Sequence, residues 1–248
     1  VAALGLTMQE KALDAGDGAA FLAGSAPLEG WIAKSLRGDH KDGLGSWDEA
    51  QIVAFLKTGR NERTAVFGGM SDVVEHSMQY MSDADLTAIA RYLKTLPPVN
   101  PDDKPFREDR AVAQALWQGN DGKTGAARYV DNCAACHRTD GKGYARVFPA
   151  LAGNPVVQGE DATSLIHIVL EGATLPATAT APSTFSMPGF GWRLSDQQVA
   201  DVVNFIRSSW GNQAAGVSAG QVAQLRKAPP VPLKAESLVG DTTGTVEP

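Results

Sequence analysis

The sequence predicts an all-α protein built as two helical lobes in tandem. Three observations carry that expectation. Apolar residues recur at helical spacing, an internal repeat divides the chain, and no convincing alternating strand pattern appears. "QIVAFLKTG" (Gln51–Gly59) resembles "SLIHIVLEG" (Ser164–Gly172) in pattern, and "MSDADLTAIARYLKTL" (Met81–Leu96) matches "LSDQQVADVVNFIRSS" (Leu194–Ser209), both at an offset of 113 residues. "LRGD" (Leu36–Asp39) echoes "LAGN" (Leu151–Asn154) at an offset of 115.

Taken in chain order, the first lobe (1–96) has a helix over about Glu49–Lys57. A second follows Ser82 as cap, with Leu86, Ile89, Ala90 and Leu93 as its apolar stripe, and Pro97 and Pro98 stop it. "LPPVNPDDKPFRED" is proline-rich and charged without apolar periodicity, so 97–109 reads as a linker over the surface. The second lobe (110–212) has a helix over about Thr124–Ala135 that carries both cysteines, and another over Thr163–Glu171. Its last helix begins at a Ser195/Gln198 capping box, runs through Val199, Val202, Val203 and Ile206, and has Gly211 placed as a C′ glycine. Residues 213–248 read as a tail, expected to be poorly ordered because of the Pro, Thr and Gly after Lys227.

Composition excludes some functions. The chain has 248 residues, 43% hydrophobic and 20% charged, which suits packed domains. Net charge is −6 and no Lys/Arg cluster stands out, which argues against nucleic acid as a partner. The longest apolar runs fall short of the ~18–20 residues that cross a bilayer. No charged segment followed by an apolar one opens the chain, so no export signal is expected in it.

Short helices joined by long loops leave each lobe little core, and such domains usually need a staple. "NCAACH" supplies one. Cys133, Cys136 and His137 form C-x-x-C-H, the attachment pattern of c-type haem. Two cysteines three apart at a helix start share a face, where they can add to the two vinyl groups of a porphyrin edge, and the next residue turns its imidazole onto the iron. The rival readings are weaker. A disulfide here would close a very small loop. Zinc needs about four ligands, and beyond His137 the chain offers only His40, His76 and His167 as histidines. A thioredoxin-type dithiol needs an α/β context. Met187, in the Pro/Gly loop "STFSMPGFGWRLSD", is the candidate sixth ligand, because a thioether favours ferrous iron. His167 is its rival but falls inside a helix. A ligating histidine normally donates its other ring N–H to a carbonyl, and Pro149 lies twelve residues after His137.

"DNCAACHRTDGKG", "FPALAGN" and "MPGFGWRLSDQQVADVVNFIRSSWGN" resemble the last haem domain of the three-haem cytochrome c subunits of bacterial membrane-bound alcohol, gluconate, sorbitol and fructose dehydrogenases. Gly43–Pro98 resembles their second haem domain. The likeness covers about Phe21 to Asn212. It implies two class I cytochrome c-like lobes, axial ligation by His137 and Met187, a Pro149 carbonyl orienting His137, and Trp192 or Arg193 at a haem propionate. It also implies Met70, in "FGGM", as the axial ligand of a second haem, with Met78 and Met81 as rivals.

The first lobe departs from the family because it has no cysteine. The resemblance then implies that the chain begins just after that lobe's C-x-x-C-H, so the lobe lacks its N-terminal haem-attachment helix; the alternative is a lobe that has lost its haem. One covalent haem c is expected here, and a second only with the upstream motif. Lys34 stands where the repeat places the counterpart of Pro149. The expected role is an electron-transfer subunit rather than a catalyst. It would pass electrons from a dehydrogenase subunit with a flavin or quinone cofactor to quinone or a terminal oxidase, in the periplasm and at the inner membrane through its complex. A soluble periplasmic carrier and a peroxidase-like haem enzyme are the alternatives.

Overall fold

The computed structural model describes residue 18, residues 20–27 and residues 30–227. The first half folds as α1 (Glu49–Thr58), α2 (Gly69–His76), a 3-10 turn (Met78–Tyr80) and α3 (Asp83–Thr95). The second half runs α4 (Ala111–Trp117), α5 (Ala126–Asn132), α6 (Ala134–His137), α7 (Pro155–Gln158) and α8 (Thr163–Glu171). It continues through β1 (Gly172–Thr174), β2 (Ser186–Pro188), α9 (Asp196–Arg207) and α10 (Ala219–Lys227). Among the described residues no helix is long and apolar enough to cross a membrane.

The helix starts obey local chemistry. Asp48 caps α1 and Ser195 caps α9, each in a reciprocal capping box with the glutamine three residues on. Ser82 caps α3 through the Asp85 N–H, and α3 ends at Leu96, immediately before the two prolines. Gly59 closes α1 in the left-handed region, φ 72°.

Buried apolar side chains form two clusters, one on each side of residues 97–110. Leu22, Leu44, Trp47, Ile52, Ala90 and Leu93 make the first, where α1 packs on α3. The second and larger one centres on Tyr129, Ile166, Val199, Val203, Phe205 and Trp210, with α9 against α5, α8 and α10. Loops join the two. The Ile32 N–H donates to Ser164 Oγ (2.9 Å) and the Asn154 amide donates to Thr64 Oγ1 (3.1 Å). A Cβ on Gly59 would lie 2.8 Å from both Pro176 Cγ and Val66 Cγ2, so the glycine also permits close contact across the join.

Several expectations need correction. The single cysteine helix is two, broken at Cys133 (φ −123°). A short antiparallel hairpin exists, β1 with β2, pairing Ala173 with Met187. Its three-residue strands are too short to show a period of two. Gly211 is not the C′ residue of α9, which ends at Ser208; its φ of 100° and the Arg107 carbonyl, packed where a Cβ would sit, explain the glycine. Part of the expected tail is helical. Ser218 and Gln221 cap α10, Val222 is fully buried, and Arg226 pairs with Asp196 and donates to the carbonyls of Gly191 and Leu194. The Pro/Thr/Gly-rich residues 228–248 lie outside the described residues, as do 1–17.

Candidate functional site

The site lies between α5–α6, α8, the β1–β2 hairpin and α9. α5 ends at the motif, and its Tyr129 anchors the backbone beyond it. The Tyr129 ring is buried against Phe205 and Trp210, and the hydroxyl donates to the Arg138 carbonyl (2.6 Å). Trp210 Nε1 donates to the Thr139 carbonyl (2.9 Å). Two aromatic side chains of the core thus hold the backbone directly after His137.

Cys133 and Cys136 are free, half-buried thiols. Burial, with Cys136 adding, pushes the Cys133 thiol up to about 12, so it stays protonated. His137 is buried. Its Nδ1 lies 2.9 Å from the Pro149 carbonyl oxygen, so that nitrogen carries the proton and donates. Burial lowers the imidazole's pKa, the Pro149 bond opposing, and the ring is held neutral with Nε2 free to bind a metal.

These groups face an apolar slot of two adjoining chambers. Cys133, His137, Met187 and Phe190 line both chambers, and Cys136 lines the second. Among the described residues no group of three His, Cys, Asp or Glu side chains forms a metal cluster. The donors present are two thiols, one oriented imidazole and one thioether around an apolar slot, which fits haem attached through sulfur.

The other candidates lie elsewhere. His167 packs against Trp31, ring centroids 4.3 Å apart, and burial lowers its pKa with Glu171 opposing. Trp192 and Arg193 stand exposed between the hairpin and α9. Met70 lies in the first turn of α2, half exposed, and lines neither chamber. Met78 lies in the 3-10 turn and Met81 comes directly after it. Lys34 sets its Nζ near Gly159; burial lowers its pKa, with Asp42 opposing. Sequence reasoning missed one wall of the slot. Ala65 and Phe67, on the turn between α1 and α2, line both chambers. Treating the lobes as separate units hides this contribution, and no local pattern around "TAVF" reveals it.

Comparison with known proteins places this geometry. A cytochrome c family model matches residues 122–210, which hold the motif, the hairpin and α9. A cytochrome c-553-like protein of Synechocystis sp. is 32% identical over 100 residues, 40% of this chain and 80% of that protein. The chain belongs to the cytochrome c family. As a cytochrome c it is expected to hold covalent haem c, which the donor set of the slot fits. It is also similar to the gluconate 2-dehydrogenase cytochrome c subunit of Pantoea cypripedii, 58% identical over 225 residues, 90% of this chain and 51% of the relative. The cytochrome c subunit of the quinone-type alcohol dehydrogenase of Gluconacetobacter polyoxogenes is 54% identical over 224 residues, 90% of this chain and 48% of the relative. This cytochrome c chain thus spans about half the length of those two relatives.

Proposed function

We propose that this chain relays single electrons from a catalytic dehydrogenase subunit, with a flavin or quinone cofactor, to quinone or a terminal oxidase of the respiratory chain. The observation that carries the reading is the slot itself. Free thiols, a neutral imidazole with Nε2 unpartnered and a thioether all face one apolar space. Haem, when bound, supplies a one-electron iron couple. Cys133 and Cys136 would hold it through thioether bonds, His137 and Met187 would bind its iron, and the Pro149 carbonyl fixes the His137 tautomer. The apolar walls exclude water and Met187 favours the reduced metal, so both raise the potential. Similarity to dehydrogenase cytochrome subunits over nine tenths of the chain supports the partner.

The first lobe is read as a second cytochrome c-like unit on the strength of the repeat and its own buried cluster. Met70 is its iron ligand when an upstream C-x-x-C-H is present. The protein works in the periplasm, at the inner membrane through its complex. Intact mass together with a pyridine haemochrome spectrum tests the reading: one covalent haem on this chain is expected, and a colourless protein of unmodified mass overturns it. Met187→Ala should abolish the near-infrared sulfur–iron band.

A further inference from the structure

Three buried arginines donate to backbone carbonyls, and one of them differs from the others. Arg207 serves Val157, Glu160 and Ala215 within the second half, and Arg37 serves Gly18, Phe21 and Pro97 around the first. Arg60 comes just after α1 in the first half and is only 4% exposed, yet its guanidinium reaches into the second half. Its Nη2 donates to the carbonyls of Ser183 (2.8 Å), Ala181 (2.9 Å) and Pro176 (3.3 Å), and Nη1 faces the Arg146 carbonyl (3.4 Å). The guanidinium also lies 5.9 Å from the centroid of the Phe185 ring, which meets Phe148 edge-on. Among the described residues no carboxylate pairs with it.

These acceptors are not scattered. Pro176, Ala181 and Ser183 belong to the long hairpin whose paired end is β1–β2, carried outward by the Leu175–Phe185 bond and the Thr178–Ala181 bridge. Its returning strand presents Met187. Arg146 lies between His137 and Pro149. The turn that carries Arg60 is itself closed by the Arg60–Ala65 bridge, and Ala65 and Phe67 line the slot. One cation of the first half therefore joins the backbone on the thioether side to the backbone on the imidazole side.

We propose that Arg60 is a positioning residue, which holds the Met187 hairpin down so that the first half of the molecule governs how firmly the thioether stays on the iron. This rests on Met187 being the axial ligand. A two-stranded hairpin is marginal without outside support. Here support comes from a planar, permanently charged fork whose several donors can serve carbonyls of separate segments at once. A lysine keeps the charge but not the fork.

The test uses the haem-loaded chain with Arg60→Met, Arg60→Lys and Met187→Ala. The readouts are the near-infrared sulfur–iron band of the ferric protein and the rate at which imidazole enters the sixth position. That rate is limited by departure of the thioether. Arg60→Met should weaken the band and speed imidazole entry about tenfold or more, as expected when at least one charge-assisted hydrogen bond is lost. Arg60→Lys should fall between it and the parent. A parental band and parental rate in both variants, even with lowered melting temperatures, overturn the proposal, because Arg60 then contributes only to stability. If Arg60→Met does not fold, Arg60→Lys decides alone: faster entry supports the proposal and parental entry overturns it. A band that survives Met187→Ala refutes the ligation reading instead, so the two failures are distinguishable.

Discussion

At the scale of residues, the site depends on proton placement as much as on donor type. His137 is singled out as the proposed ligand by its neighbours Cys133 and Cys136, but its tautomer is set by the Pro149 carbonyl 2.9 Å away, across a loop. Tyr129 secures that loop. Tyr129→Phe should remove the hydroxyl's bond to the Arg138 carbonyl, which still accepts the Gly141 N–H, and cost about 0.5–1.5 kcal/mol in denaturant unfolding. His167 shows what local reading leaves out. Its rivalry with Met187 is open in the sequence, because nothing in "SLIHIVLEG" says which face of the helix meets Trp31. Burial against that ring lowers its pKa below the ordinary 6.5. Below 6.5 the unfolded chain therefore binds more protons at this site than the folded one, and stability falls as pH drops from there toward the lowered value. His167→Gln should remove part of the stability loss between pH 7 and pH 5, measured as the difference between parent and variant in urea unfolding; an identical pH slope would refute it.

At the scale of elements, the parts most legible in the sequence are those whose ends are written locally. The sequence places α8 with its observed bounds, and α3 and α9 begin at the serines that read as caps. The α9 box is a direct exchange: Ser195 Oγ accepts the Gln198 N–H while Gln198 Oε1 accepts the Ser195 N–H at 2.9 Å. Ser195→Ala should cost about 1 kcal/mol, seen as a lower denaturant midpoint at unchanged slope. The β1–β2 hairpin and the break at Cys133 are hidden for a different reason. Neither has a sequence period, and both depend on what packs around them. α10 is obscured by the composition of the residues after it; its Ser218–Gln221 cap and buried Val222 carry the same signals that identify α9.

At the scale of the whole molecule, buried residues form two clusters, and the repeat says nothing about their join, which contributes to the site. Each lobe read alone suggests a self-contained slot. In the structure, Ala65 and Phe67 cross from the first half to close the slot of the second, while Trp31 braces Phe67 from behind with ring centroids 5.2 Å apart. The Gly59 turn that feeds this segment leaves no room for a side chain against Pro176 and Val66. An apolar wall supplied from another core affects solvent access more than it affects the fold of the core it covers. Phe67→Ala should therefore cost only about 1–2 kcal/mol, since the ring is partly exposed. It should still lower the reduction potential of the haem-loaded chain, because water reaches the slot and favours the more highly charged ferric state. Potentiometric titration of parent and variant decides the matter. An unchanged potential with lowered stability would mean that the first half only props the second, whereas a lowered potential at nearly parental stability makes the join part of the electron-transfer site.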